Sequence, residues 1–193
     1  MYCIYRCLGW SGTAIGDNEN SLLDQPKVVL DTSRMGSDAV IVKNGLRICG
    51  TGAALANTAI VQDKAYFEVK LQSTGIWGIG LAVGNIDVNK VPLGEDVYSW
   101  VLRHDGHLCH NKITIHDTKY KPAEGDVVGV SYDHVEMNCY VNGKSLNFPI
   151  PGIKGTVFPV LYVDESAILD VQFTDLSHQP SGYSQIMVDR QIF

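Results

Sequence analysis

Tyr66-Phe67-Glu68-Val69-Lys70-Leu71-Gln72, followed at once by Gly75-Ile76-Trp77-Gly78-Ile79-Gly80-Leu81-Ala82, is the stretch that decides the fold. Alternation places Phe67, Val69 and Leu71 on one face of the first segment and Glu68 and Lys70 on the other, as a half-buried strand requires. In the second segment Trp77, Ile79 and Leu81 line one face, and Gly78, Gly80 and Ala82 the opposite one. A strip that small lets another backbone or a bulky side chain approach closely, although interior glycine weakens a strand. A second strand pair has similar punctuation: Val127 to Tyr132, a turn at Asp133-His134, then Glu136 to Val141 closed by Asn142-Gly143. Both pairs describe a packed sheet without evident catalytic machinery, so the first expectation is a recognition scaffold.

Outward from these pairs the turn chemistry stays β-like. Ala39 to Lys43 runs into Asn44-Gly45 and on to Leu46-Arg47-Ile48-Cys49. Asn-Gly supplies the positive φ angles of a type I′ hairpin turn; Asn142-Gly143 repeats the device, and Asp105-Gly106 is read the same way between Tyr98–Leu102 and His107–His110. Further strands are expected over Lys27–Leu30, Thr156–Val163 and Ala167–Thr174. No window of a dozen residues carries a sustained helical period, leaving at most a short turn near Pro92–Glu95 or in the tail. Many short strands between turns imply an all-β chain, an antiparallel sandwich or barrel. The longest non-strand connections are expected up to about Gln25 and over Gly50–Lys64, Gly84–Asp96 and Asn111–Gly125. Residues 1–25 read as an N-terminal arm and 26–193 as a single β domain with a C-terminal tail.

Composition narrows the function classes. At 193 residues one domain is the natural prior, and such a chain buries roughly 70% of its unfolded surface. A hydrophobic share of 45% with 19% charged residues suits a globular protein. A net charge of −6 without a Lys/Arg block gives no reason to expect nucleic acid as a partner. The five cysteines, Cys3, Cys7, Cys49, Cys109 and Cys139, are odd in number and widely spread, and no Cys-x-x-Cys offers a zinc half-site. Cys139 alternates with Met137 and Val141 and is expected to act as a small buried hydrophobe. With no Asn-x-Ser/Thr acceptor, no apolar run long enough to span a membrane and no secretory h-region, the expectation is an intracellular, cytoplasmic protein.

The remaining chemical signals are weak. His104, His107 and His110 recur every third residue, yet with Asp105-Gly106 as a turn His107 and His110 point to opposite faces, so no metal is expected. Gly143-Lys144-Ser145 imitates the end of a P-loop, but Asn138 stands where the upstream glycine is needed. Gly78-x-Gly80 with Gly84 imitates a dinucleotide fingerprint, but the glycines lie within a strand. Ser131 lacks the following glycine of a nucleophile elbow. Cys109 beside His110 is the one tempting nucleophile pair, and neighbours on a strand face apart. No enzyme activity and no cofactor are expected.

Taken together and in order, several motifs resemble the SPRY domain family: Tyr66-Phe67-Glu68-Val69, the Gly-x-Trp-Gly-x-Gly strand, Tyr98-Ser99-Trp100, Gly125-Asp126-Val127-Val128-Gly129, Tyr132-Asp133 with Asn142-Gly143, and Val157-Phe158-Pro159-Val160. The resemblance spans roughly residues 27 to 175. It implies a two-layer antiparallel β-sandwich, bent, of the concanavalin-type jelly-roll kind. It also implies a non-catalytic adaptor that binds a peptide or protein partner through rim loops. Carried over by position, the partner-binding candidates are Thr51, Gly52, Asn89, Pro92, Leu93, Val163, Asp164 and Glu165. The sequence departs from the best-understood peptide binders of the family: Asn89 stands in place of their aromatic in the second loop, and Val163-Asp164 in place of the tryptophan in the third. The same ligand motif is therefore not implied. The alternative is lectin-like binding of a carbohydrate or other small molecule on the same fold.

The N-terminus carries a separate signal. Met1-Tyr2-Cys3-Ile4-Tyr5-Arg6-Cys7-Leu8-Gly9-Trp10 lacks a glycine at position 2, which excludes myristoylation. Cys3 and Cys7 are lipidation candidates, since two acyl chains hold a protein at a membrane surface where one is marginal. The competing expectation is an unmodified arm packed against the sandwich.

Overall fold

The computed structural model describes residues 27–188. Its elements in chain order are β1 (Leu30–Met35), β2 (Asp38–Val42), β3 (Arg47–Ala56), β4 (Ala65–Ser73), β5 (Ile76–Val83), β6 (Ser99–Arg103), β7 (His107–His110), β8 (Ile113–Asp117), β9 (Val127–Tyr132) and β10 (Glu136–Val141). They continue with β11 (Lys144–Ser145), β12 (Ile150–Pro151), β13 (Val157–Asp164), β14 (Ile168–Gln172) and β15 (Ser184–Gln185). Among the described residues there is no helix, and the all-β expectation holds.

Strand order explains the sandwich. One layer runs β11-β10-β9-β4-β14 to the first half of β3, with β2 beyond it; the other runs from the second half of β3, flanked by β1, through β13-β5-β6-β7-β8. β3 is thus one continuous strand serving both layers, folded at Gly50-Thr51-Gly52. Gly50 has φ +87° and a Cβ there would collide with the Asp38 carbonyl, so the corner needs glycine.

The inward faces obey the period of two. Phe67, Val69 and Leu71 of β4, with Val128, Val130, Met137 and Cys139 of the β9–β10 hairpin, meet Trp77, Ile79 and Leu81 of β5 and Leu161 and Val163 of β13 in one apolar core. Burying each large aliphatic side chain in this way contributes about 1.5–3 kcal/mol. Trp77 is 1% exposed, and Cys139 sits in the core with its thiol pushed up to about 12 by burial. On the other face of β5, Gly78 accommodates the Tyr162 ring, which a Cβ would penetrate. There the Gly84–Asp96 connection lays Ile86 and Leu93 over Leu55, Val101, Cys109 and Val160, forming a second, outer apolar cluster.

Several sequence expectations need correction. β4 and β5 are consecutive but not neighbours: β4 lies between β9 and β14, β5 between β13 and β6, so the first strand pair crosses from one layer to the other. The turn at Asn44-Gly45 is a four-residue loop between Val42 and Arg47, with positive φ at Lys43, Asn44 and Gly45, not a two-residue type I′ turn. At Asp105-Gly106 only Gly106 has positive φ, and its N–H donates to the Arg103 carbonyl (2.9 Å), the geometry of a type I turn closed by glycine. Asn142-Gly143 has φ +49° and +77° between paired Val141 and Lys144, as the type I′ reading requires. Lys27–Val29 precede the first strand, β3 continues through Gly50–Ala56, and β8 occupies part of the supposed 111–125 loop.

Glu68 is the largest departure. Its strand phase does turn it to the outer face, yet it is 0% exposed. The chain beyond β14 passes over that face, and the Glu68 carboxylate accepts the Ser177 N–H (2.8 Å) and His178 N–H (2.6 Å) as well as the Tyr66 hydroxyl (3.2 Å).

Candidate functional site

At the end of the sandwich where β3 folds, four segments distant in sequence meet. Thr51, at the corner, donates its hydroxyl to Asp164 Oδ1 (2.9 Å) at the end of β13. Asp164 Oδ1 also accepts the Glu165 N–H (2.9 Å), and Glu165 and Ser166 form the next turn with φ +46° and +69°. Gly52 pairs with Val163 across β3 and β13. From the 84–98 connection the Val88 carbonyl accepts the Ala53 N–H (2.9 Å), and Asn89 Oδ1 accepts the N–H (2.8 Å) and hydroxyl (3.2 Å) of Ser37. Ser37 lies in the β1–β2 turn, whose Gly36 N–H donates to the Ala53 carbonyl (2.8 Å).

The eight sequence-derived candidates divide by burial. Thr51, Asn89, Pro92 and Glu165 are exposed and Asp164 is half-buried. Leu93 and Val163 are fully buried, Leu93 in the outer apolar cluster and Val163 in the central core, and Gly52 is buried beneath Gly36 and Ala39. Leu93 and Val163 anchor their segments from within and Gly52 lets Gly36 and Ala39 come close, while the first five form the surface. Arg103 fixes the Leu93 segment from below, its Nε and Nη2 donating to the Leu93 carbonyl (3.1 and 2.7 Å) and Nη2 to Glu95 (2.7 Å). Sequence reasoning missed Ser37 and the Val88 carbonyl. Ser37-Asp38 is ordinary turn polarity, and a carbonyl leaves no trace in the residue type.

His107, His110 and Cys109, weighed for chemistry, are engaged elsewhere. His107 Nδ1 lies 2.9 Å from Asp105 Oδ2, and His110 Nδ1 lies 2.9 Å from the Ser99 carbonyl while its ring stacks on Trp100. Burial raises the Asp105 carboxyl, but hydrogen bonds from the His107 backbone and ring outweigh it and hold it below the ordinary carboxylate range. Cys109 turns away from His110 into the outer apolar cluster, where burial pushes its thiol up. Among the described residues no three His, Cys, Asp or Glu side chains converge as a metal would need, and no helix is long and apolar enough to cross a membrane. Cys3 and Cys7 lie outside the described residues.

A cleft of about 630 Å³ opens at the opposite end of the sandwich, between the Lys43–Leu46 turn, Val171–Asp175, residues 27–29 and residues 185–188. It is remote from the rim segments, because β2, β3 and β14 run from one end to the other.

Comparison with known proteins agrees with this geometry. The family model described as SPRY domain matches residues 64–175. SPRY domain-containing protein 7 of Bos taurus is 51% identical over 196 residues, covering 100% of this chain and 98% of that protein. Its Gallus gallus counterpart is 52% identical over 193 residues, with 98% of each covered, and the Homo sapiens one is 51% identical over 196 residues, covering 100% and 98%. Among solved structures, the PSpry domain of TRIM65 superposes with a TM-score of 0.61 at 11% identity, covering 76% of this chain and 90% of that one. The SPRY domain of human HERC1 gives 0.60 at 13%, covering 77% and 99%. At such identities these two speak for the fold alone.

Proposed function

Because the chain belongs to the SPRY domain family, whose domains commonly serve as protein-interaction modules, we propose that it is a non-catalytic adaptor. In this reading the corner formed by Ser37, Thr51, Asn89, Pro92, Asp164 and Glu165 receives a peptide or protein partner. The observation that carries the reading is the cross-tying of that corner. Four segments are joined by the Ser37–Asn89, Ala53–Val88 and Thr51–Asp164 hydrogen bonds before any partner arrives. A surface ordered in advance spares the complex the entropy of fixing loops, so more of the contact energy remains as affinity. An intracellular location accords with the thiols of Cys49, Cys109 and Cys139, none of which is in a disulfide. Acylation of Cys3 and Cys7 would add peripheral membrane attachment; acyl-exchange labelling in cells that finds no thioester on either residue removes that part.

The rim is tested by proximity labelling in cells with the full chain and with a Lys90→Glu/Glu165→Arg variant. Both positions are exposed and neither side chain ties the corner, so the variant is expected to melt with the wild type while losing a defined subset of partners. Identical partner sets from the two proteins would refute the site.

A further inference from the structure

One edge of the sandwich is left regular and apolar. β2 pairs with β3 alone, so its other side is open among the described residues. The Val42 carbonyl accepts the Gly45 and Leu46 N–H groups (3.2 Å each), and the Val40 carbonyl lies 3.8 Å from Cys49 Sγ; both point toward β3. Because backbone groups alternate along a strand, the N–H and C=O of Ile41 between them face the open edge. The Ala39 N–H, which would do the same, is occupied by the Gly36 carbonyl (3.1 Å). The side chains are apolar on both faces: Ala39 and Ile41 pack on the core, while Val40 and Val42 stand 47% and 42% exposed.

Natural edge strands are ordinarily protected by charge, proline, bulges or brevity, and the other edges here are. β1, which continues the same edge in the second layer, is irregular: Asp31 Oδ1 accepts the Ser33 N–H (2.8 Å) and the register with β3 shifts. β8 carries His116 and Asp117 and a register shift against β7; β11 has two residues. From Ala39 to Val42 β2 has none of these devices; its one charge, Asp38, stands at its first residue.

We propose that β2 pairs with β2 of a second copy of this chain, antiparallel about a twofold axis through Ile41. A twofold axis normal to the sheet pairs residues of the same face. Centred on Ile41 it joins the two Ile41 residues by reciprocal N–H to C=O hydrogen bonds. On the outer face Val40 of each copy then meets Val42 of the other, and Asp38 of each stands opposite Asn44 of the other, while Lys43 stays on Asp170 of its own chain (2.8 Å). Apolar thus meets apolar and no like charges are brought together, so the edge is complementary to itself. Centring on Val40 instead would set Asp38 against Val42. The pairing makes one layer continuous through both molecules. Since β2 leaves the rim at Asp38, the two rims point to opposite ends and both stay open, giving a bivalent receptor.

Sedimentation velocity of the full chain over about 1–300 µM, a range in which short interfaces associate, reads the association. Wild type shifts from monomer to dimer. Val40→Lys/Val42→Lys weakens the dimer roughly tenfold or more, because like charges face each other. Val40→Lys/Val42→Glu restores it, since only the Ile41-centred register sets the introduced lysine of each copy against the introduced glutamate of the other. Hydrogen exchange at the Ile41 amide of the wild type slows as concentration rises, independently of how the variants fold. A wild-type monomer at every concentration overturns the proposal. So does a dimer indifferent to the lysine pair, a lysine–glutamate variant that stays monomeric, or an Ile41 amide whose exchange ignores concentration.

Discussion

The Glu68 carboxylate illustrates how a charged side chain is carried inside a β fold. Three donors surround it, the N–H groups of Ser177 and His178 and the Tyr66 hydroxyl, and they satisfy an ion that burial would otherwise expel. Glu68→Ala leaves two backbone donors without an acceptor, at about 1–3 kcal/mol each. The expected signature is local as well as global: hydrogen exchange accelerates at Ser177 and His178 beyond the loss of overall stability, whereas unchanged protection there would contradict the clasp. Trp77→Ala removes the largest core side chain and is expected to cost about 3–5 kcal/mol in a denaturant melt. Gly143→Val has two faults, a β-branched residue at φ +77° and a Cβ 2.9 Å from the His178 ring, and it should lower the melting temperature well beyond an ordinary surface change. Sequence periodicity read the Trp77 and Gly143 environments correctly because each is decided by its own strand or turn. It assigned Glu68 to the right face but to solvent, since the cover over that face arrives more than a hundred residues later.

Between elements, Asp170 of β14 fastens the β2–β3 hairpin. It accepts Arg47 Nη2 (2.8 Å) and Nε, and Lys43 Nζ (2.8 Å) from the turn. Burial alone would raise the Asp170 carboxyl, but hydrogen bonds from Arg47 and then Lys43 outweigh it and leave its pKa below the ordinary carboxylate value. A depressed folded-state pKa gives stability that is present above the unfolded value, about 4, and is lost as pH falls through the folded one. Asp170→Asn should therefore be less stable than wild type at pH 7, with the gap closing below about pH 4. Melts across that range that keep a constant gap would exclude the ion-pair origin. The hairpin itself was legible in Asn44-Gly45, but its length was not, because Asn and Gly at positive φ fit a four-residue loop as well as a two-residue one. β8 escaped notice for a related reason: Ile113-Thr114-Ile115-His116-Asp117 is half exposed on an edge and carries little apolar contrast.

Across the whole molecule, the all-β class was readable from strand period and turn chemistry, and the family resemblance added the two-layer sandwich and the corner where the rim residues gather. Which strands adjoin was not readable, because β3 pairs with β13 and β14 more than a hundred residues away and nothing local encodes that choice. Nor could burial of Leu93 and Val163 be foreseen from loop position. Each is fixed by an apolar cluster assembled from remote segments. The folded-over course of β3 has a last consequence. A stack whose two leaves merely touch can open like a book, one leaf at a time. Here the spine is itself a page of both leaves, so neither can be turned without tearing the other. Heating should accordingly give a single calorimetric peak whose van't Hoff and calorimetric enthalpies coincide, and the rim at the fold of that spine should keep its shape until the entire molecule gives way.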